Sequence, residues 1–502
     1  MRETVIPEGP WPHVIRMPIA AAAGALMALG HAPFSFLWVS LAGLMVFFAA
    51  VMRASTASSA GWTAWIGGVF YFGVTMHWIV EPFQVDPDRH AWMAPFALFF
   101  LATGLAFFWG IAGRISAWAA GPGRRALAFA LALSIVEVLR SFVFTGLPWG
   151  LLGGIWINWP GAAWLAWIGP HGLTFLTLLF PASVFLLAGP LPYLAIAMIA
   201  IGPVALTLSG AQQSRAPEIP ADAPVIRLVQ PNAPQHLKWD PDWTQVFFER
   251  QLQMTAAEGD VALTVWPETA VALRLPADAP VLRRVSEAAQ NRPVIIGLNR
   301  FQDRQAYNTL NLIGQEGAIT QSYKKSHLVP FGEYVPFGDQ LARLGIAGLA
   351  SRDGYGFTAG SGPDLIDLEP LGTALPLICY EAIFPSLGRD LSRSANFMLQ
   401  ITNDAWFGNF AGPQQHLEIA RMRAMERGLP LVRVANTGIS AVIDARGRIV
   451  AGLPLNEAGF IDLPLPQRMT PTFYTQWGEI PLYGLWICAA LAAFSRRRAP
   501  ID

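Results

Sequence analysis

Leu375 to Pro385 reads LPLICYEAIFP. An apolar run ends on Cys379, and the polar pair Tyr380 and Glu381 follows before Pro385. This pattern predicts a β-strand that stops at a cysteine and turns toward a helix near Pro385. A nucleophile at such an elbow is held by rigid backbone, and neighbouring amide groups can face a developing oxyanion. Taken alone, the stretch also fits a buried structural cysteine.

Working outward, similar short apolar runs recur at Val225 to Val229 (VIRLV), Val261 to Trp266 (VALTVW), Val294 to Leu298 (VIIGL), Thr309 to Ile313, Phe397 to Thr402, Leu431 to Ala435 and Ser440 to Ile443. Helical periodicity falls between some of them, at Trp243 to Ala257 and His416 to Arg427. Strands alternating with helices predict a layered α/β domain, placed at residues 222–468. Gly210 to Pro224, rich in Ala, Pro and Gln, is its linker.

The rest of the chain has a different character. Of 502 residues 53% are hydrophobic and only 14% charged, too apolar a mixture for an ordinary soluble protein of this length. The apolar runs gather before about residue 210 and again near the C-terminus. A transmembrane helix needs about 20 mostly apolar residues. Candidate windows lie near 15–30, 35–51, 60–80, 91–112, 125–144, 163–187 and 190–209, with an eighth near 479–494. The sequence therefore predicts an N-terminal membrane domain at 1–212 with about seven spans, and a C-terminal span at 475–497. Pro148, Pro160, Pro170, Pro181 and Pro190 blur the boundaries between 145 and 190.

Basic residues mark cytoplasmic loops. Arg53 follows the second window, Arg114, Arg124 and Arg125 follow the fourth, and Arg496 to Arg498 follow the eighth; the loop after the third, EPFQVDPDRH (Glu81 to His90), is acidic on balance. Both termini are expected in the cytoplasm and the α/β domain outside it, in the periplasm of a bacterium. Reading Arg16 and Ala20 to Ala25 as a cleaved signal would remove one span and break this parity. Formal net charge is zero, with 34 basic and 34 acidic residues, which gives no electrostatic grip on nucleic acid. The two cysteines, Cys379 and Cys488, fall in different domains and are expected to be free thiols.

Two further residues give Cys379 a chemical context. Glu268, in VALTVWPETA, follows an apolar strand, where a carboxylate could take a thiol proton and return it to a leaving group. Lys325, in SYKKSHLVPFGEYVP, supplies an ammonium that can favour a thiolate and stabilise an oxyanion. Each also has a plainer reading, as a helix-start acid and a solvated lysine. A Glu, a Lys and a Cys on separate elements, each with a defined task, form a catalytic constellation. A Cys–His pair with His327 or His416 is the weaker alternative. The eight histidines contain no HExxH and pair with no cysteine cluster, so no metal site is expected. Glu137 and Arg140, three apart on one apolar helix face, are suspects because charge at membrane depth is costly.

Glu268, Lys325 and Cys379, in the strings WPET, YKKSHLVPFGEYVP and ICYEAIFP, resemble the carbon-nitrogen hydrolase (nitrilase) superfamily. The apolar N-terminal half, with LKWDP, HLVPFGEYVP, ITNDAWFG and VRVANTGIS, is similar to its membrane-bound branch, the bacterial apolipoprotein N-acyltransferases. The resemblance implies a nitrilase-like α-β-β-α sandwich beside a multi-pass helical domain of the inner membrane. It also implies Glu268 as general base, Lys325 as oxyanion stabiliser and Cys379 as nucleophile. Glu333 would hold the lysine, Tyr380 and Glu381 would support the nucleophile, and Trp239 would sit on a loop near the acyl-chain entrance. The implied reaction moves an acyl chain from a membrane phospholipid, through a Cys379 thioester, to the α-amine of a diacylated apolipoprotein. It needs no cofactor or metal, and the enzyme is expected to be a monomer. A membrane-tethered amidase or nitrilase, in which water deacylates the thioester, is the alternative. A transporter with an attached domain is a more distant one.

Overall fold

In the computed structural model, which describes residues 11–187, 218–271, 280–302, 305–336 and 356–494, the chain divides into two units. One is formed by Met1–Arg215 with Trp477–Asp502, the other by Ala216–Gln476.

The first unit is built from helices His13–Ala28, Leu37–Met52, Ala57–Thr75, Ala94–Ala119, Arg125–Arg140, Leu165–Leu187 and Ile480–Phe494. They occupy the first six apolar windows and the eighth; the window at 190–209 and Arg496 to Arg498 lie outside the described residues. Thr56 starts the third helix by accepting a hydrogen bond from the Ser59 amide at 3.1 Å. The proline-rich stretch between 145 and 164 carries only short 3-10 turns, Leu152–Trp156 and Pro160–Trp164. Leu165–Leu187 is kinked at Gly169, just before Pro170.

Helix Ala94–Ala119 shows what kind of surface this unit has. Ala102, Leu105, Ala106, Trp109, Ala112, Gly113 and Ser116, at helical spacing, are buried. Phe96, Phe99, Phe100, Phe107, Ile111, Ile115 and Trp118 are exposed. Small residues inside and large apolar ones outside is the pattern of helices that pack on each other in lipid, the reverse of a water-facing amphipathic helix. Small residues also set helix spacing. A Cβ placed on Gly24 would lie 2.0 Å from the Gly67 carbonyl oxygen, so helices His13–Ala28 and Ala57–Thr75 cross backbone against backbone.

Among the described residues, Pro87–Ala119 and Pro160–Leu187 are long and apolar enough to cross a membrane. Ala57–Thr75 with His77–Gln84 makes a third if that pair, bent by 46°, is one span. His13–Ala28, Leu37–Met52 and Ile480–Phe494 are shorter apolar helices.

Glu137 and Arg140 are buried in this unit as an ion pair at 2.6 Å. Trp109 Nε1 donates to Glu137 Oε1 at 2.8 Å, and Arg140 donates to the carbonyls of Trp149, at 2.9 Å, and Leu147. The pair thus fastens the segment after helix Arg125–Arg140 back onto the bundle.

The second unit contains two six-stranded sheets. The first has the order β12-β1-β2-β3-β4-β5, with β1 (Val225–Gln230), β2 (Leu263–Val265), β3 (Val294–Gln302), β4 (Gln305–Ile313), β5 (Ile319–Lys324) and β12 (Gly459–Pro464). The second has the order β11-β10-β9-β8-β7-β6, with β6 (Ile366–Asp367), β7 (Thr373–Ile378), β8 (Phe397–Thr402), β9 (Leu431–Ala435), β10 (Ser440–Ile443) and β11 (Ile449–Leu453). In each sheet three central strands are parallel, β1 with β2 and β3, and β7 with β8 and β9. The flanking strands pair antiparallel.

Three apolar layers explain this stacking. Ile226, Leu228, Leu263 and Val265 of the first sheet share one core with Ile378, Phe397, Leu399 and Val434 of the second. The opposite face of the first sheet packs Val229, Val294 and Ile296 against Phe248 and Leu252 of helix Pro241–Thr255 and Leu282 and Val285 of helix Pro280–Ala288. The opposite face of the second packs Leu375, Leu377, Met398 and Leu431 against Leu417, Ala420 and Ala424 of helix Gly412–Arg427. Strands covered on both faces read as continuous apolar runs rather than alternating ones, which is why the central strands are visible in the sequence. The result is an α-β-β-α sandwich.

Candidate active site

Glu268 and Cys379 lie where parallel strands end, the side of an open α/β sheet on which ligands bind, and Lys325 follows an antiparallel edge strand. Glu268 follows β2 by way of Trp266 and Pro267, Lys325 follows β5, and Cys379 follows β7. All three are buried. The Glu268 turn lies so close to β3 that a Cβ on Gly297 would come within 2.6 Å of the Glu268 Cα.

Cys379 takes a left-handed backbone conformation, with φ of 50°, which an L-residue adopts only when its surroundings enforce it. It opens a 3-10 turn, Cys379–Ile383. The helix expected near Pro385 is absent; 3-10 turns occupy this stretch, the next being Asp390–Arg393. The residue before the proline, Phe384, is extended, with φ −89° and ψ 111°, as a following proline favours.

Glu381 braces the elbow. Its Oε2 accepts from the Ile378 amide at 2.8 Å. Its Oε1 accepts from Tyr323 Oη at 2.7 Å, the Ser326 amide at 2.7 Å, Ser326 Oγ at 2.8 Å and the His327 amide at 3.1 Å. One buried carboxylate therefore ties the nucleophile's strand to the segment that carries Lys325. Burial raises the Glu381 carboxyl above its ordinary value, against these hydrogen bonds and Lys325, which pull it down.

The Lys325 ammonium donates to Glu333 Oε1 at 2.8 Å and lies 3.7 Å from Glu268 Oε1. Asn308 Nδ2 bridges both acids, reaching Glu268 Oε1 at 2.6 Å and Glu333 Oε1 at 3.0 Å. The second oxygen of each acid accepts a backbone amide, Asn403 N on Glu268 and Val329 N on Glu333, at 2.9 and 2.8 Å. Burial works against the Lys325 charge, but Glu333 and Glu268 outweigh it and hold the lysine above its ordinary value. Cys379 is pushed up, first by burial and then by Glu268, with Lys325 opposing. At rest it is a thiol, so its reaction requires a base beside it.

His416 does not pair with the thiol. It is fully buried, faces Asp404 Oδ1 through Nδ1 at 2.9 Å and lies 3.2 Å from the Cys379 carbonyl oxygen through Nε2. Gln400 Nε2 donates to the same carbonyl at 3.2 Å. Arg433 completes this group by donating to Asp404 Oδ2. These residues hold the strained backbone of Cys379 from behind. The His327 ring packs on Phe384, with centroids 3.8 Å apart, and Tyr380 meets Phe384 edge-on at 5.1 Å.

Trp239 is 38% exposed on the turn before helix Pro241–Thr255. Its neighbour Lys238 points inward and donates to the Glu268 carbonyl oxygen at 3.2 Å. Asn308, Asn403 and Lys238 were not picked out by the sequence reading. Asn403 and Lys238 stand inside the strings ITNDAWFG and LKWDP and could have been; Asn308 lies within β4 with no local signal. Both cysteines are free thiols, Cys379 buried and Cys488 exposed.

Residues 226–472 match the carbon-nitrogen hydrolase family, and residues 23–183 match the apolipoprotein N-acyltransferase N-terminal domain. The apolipoprotein N-acyltransferase of Rhodopseudomonas palustris is 34% identical, over 97% of this chain and 96% of its own length. That of Rhizobium rhizogenes is 36% identical, over 89% of each chain. Among solved structures, an amidase from Nesterenkonia sp. is similar at 19% identity and a TM-score of 0.38, covering 54% of this chain and 100% of its own. The two matched domains and the full-length relatives establish that this chain belongs to the apolipoprotein N-acyltransferase family.

Proposed function

We propose that this protein moves an acyl chain from a membrane phospholipid to the α-amine of the diacylglyceryl-cysteine of apolipoproteins, by way of a thioester on Cys379. The observation that carries the reading is the junction of Glu268, Lys325 and Glu333 beside a strained, protonated Cys379, in a chain whose other half is apolar helices with large side chains outward.

Glu268 takes the thiol proton and the sulfur attacks the ester carbonyl of the phospholipid. A C–S bond forms, and Lys325 with a backbone amide at the elbow stabilises the oxyanion. The C–O bond then breaks, and Glu268 gives its proton to the departing lysophospholipid oxygen. In the second step the apolipoprotein α-amine attacks the thioester. An α-amine has a pKa near 8, so a useful fraction is neutral and nucleophilic at pH 7. Glu268 removes a proton from the nitrogen, the C–S bond breaks, and that proton returns to the Cys379 sulfur. Glu333 keeps Lys325 in place, Tyr380 and Glu381 hold the elbow, and Trp239 guides the acyl chain. Protein groups alone supply this chemistry, without metal or cofactor.

Two membrane-anchored substrates account for an α/β domain joined to so many apolar helices. The reading includes eight spans in the inner membrane, the catalytic unit on the periplasmic side, both termini in the cytoplasm, and a monomer acting without nucleic acid. The test supplies purified protein in mixed micelles with a phospholipid carrying a fluorescent acyl chain and a synthetic diacylglyceryl-cysteine peptide. The expected product is the N-acylated peptide, absent with Cys379→Ala. Release of the label as free fatty acid, with the peptide unchanged, would instead support a water-deacylated amidase.

A further inference from the structure

Lys238 is 4% exposed. A lysine is rarely buried so deeply unless its charge is matched. Its ammonium donates to the Glu268 carbonyl oxygen at 3.2 Å, and the Glu268 carboxylate is the charged group that acts on it. The same turn is tied to Glu268 a second way. Asn403 Nδ2 donates to Gln235 Oε1 at 2.8 Å, while the Asn403 amide donates to Glu268 Oε2 at 2.9 Å. Three residues after Gln235, Lys238 faces in, and Trp239 beside it faces out.

The charges of the pocket give this contact a purpose. Glu268 and Glu333, two carboxylates, are set against the single ammonium of Lys325. Lys325 alone leaves the pocket anionic, which disfavours both a thiolate and an oxyanion. On Lys238's own segment, His236 and Asp242 are exposed, and Asp240 is half-buried with its carboxylate accepting from the Asp242 amide.

We propose that Lys238 is a positioning residue for the base: its buried ammonium pins the Trp239 turn to the Glu268 backbone and places a second positive charge beside the Glu268 carboxylate. The inference rests on Glu268 being the base for Cys379. Burial brings the Lys238 ammonium down to about 8, against a smaller upward pull from Glu268. The charge is therefore present at neutral pH and fades as pH rises through about 8.

Alkylation of Cys379 by iodoacetamide in the full-length protein in detergent tests this without any lipid substrate. Mass spectrometry reads the rate from pH 5 to 10. Lys238→Met should slow alkylation of Cys379 about tenfold at pH 6, the effect of about one pKa unit. The gap to wild type should close above about pH 8, where wild-type Lys238 loses its own charge. Lys238→Arg should restore the rate at pH 6 and keep it in alkali; if the Met variant does not fold, this arm decides. A wild-type to Lys238→Met ratio that stays constant across pH, or an Arg variant that fades in alkali as wild type does, would overturn the proposal. Glu268→Gln separates the two readings. If it leaves the Cys379 profile unchanged, the base assignment fails; if it flattens the profile while Lys238→Met does not, only the role of Lys238 fails.

Discussion

Each unit of the molecule buries a carboxylate against a cation, and the two pairs are used differently. In the helical unit, Glu137 and Arg140 hold each other, and their remaining bonds go to Trp109 and to the carbonyls of Leu147 and Trp149. No nucleophile takes part, and the pair closes a loop onto a helix. In the α/β unit, Lys325 lies between Glu333 and Glu268, and Asn308 spans both acids. There the cluster adjoins a cysteine held at positive φ and kept protonated by burial. A buried ion pair by itself thus identifies nothing. What marks a site is a reactive atom beside it, on backbone that the surroundings force into place.

Neutralising each acid in the same way separates the two roles. Glu268→Gln should lower acylation of Cys379 per folded molecule about 100- to 10,000-fold, the range for losing a general base. A stopped-flow or quench assay of lysophospholipid release measures it, and a fall under about tenfold would put Glu268 outside the chemistry. Glu137→Gln should do the opposite. It leaves Arg140 buried without its partner, so stability should fall by about 3–5 kcal/mol, while the acylation rate per folded molecule stays within about twofold. Thermal unfolding in detergent, read beside the rate, tests this; a large loss of rate in fully folded protein would give Glu137 a role in the reaction.

A smaller effect sharpens the picture of the Cys379 support. Burial alone would raise the Asp404 carboxyl, but Arg433 and then His416 bring it from 3.8 to about 2. A folded-state value below the unfolded one means the stabilisation is fully present above about pH 4 and is lost as pH falls toward 2. The difference corresponds to about 2 kcal/mol. Hydrogen exchange at β7 and β8 should therefore accelerate between pH 4 and 2, and Asp404→Asn should remove that dependence. An unchanged acid response in the variant would assign it to other groups.

Much of this was legible in the sequence, for physical reasons that differ by element. Strands β1, β8, β9 and β10 and the first half of β3 are buried and announce themselves as apolar runs. The edge strands β5, β11 and β12 do not, because ITQSYK, IVAGL and GFIDLP mix polar, small and exposed residues. Glu268, Lys325 and Cys379 were found through the strings around them, each at a strand end. Asn308 was invisible, since its task depends on β4 lying between β3 and β5, a pairing that single-chain periodicity does not encode. His416 was open in the sequence only as a weaker alternative partner for the thiol, and the fold shows that it meets the cysteine's carbonyl. The helix expected at Pro385 failed because Cys379 and Glu381 close a tight turn before an α-helix can begin.

The central claim is that Cys379 carries the acyl chain between two substrates. Intact and peptide mass spectrometry of purified protein incubated with phospholipid alone tests it most directly. The account predicts one acyl chain on the Cys379 peptide, removed by hydroxylamine, absent in Cys379→Ala, and lost with formation of an amide when a diacylglyceryl-cysteine peptide is added. No adduct on the wild type, or an adduct that persists in Cys379→Ala, would contradict it.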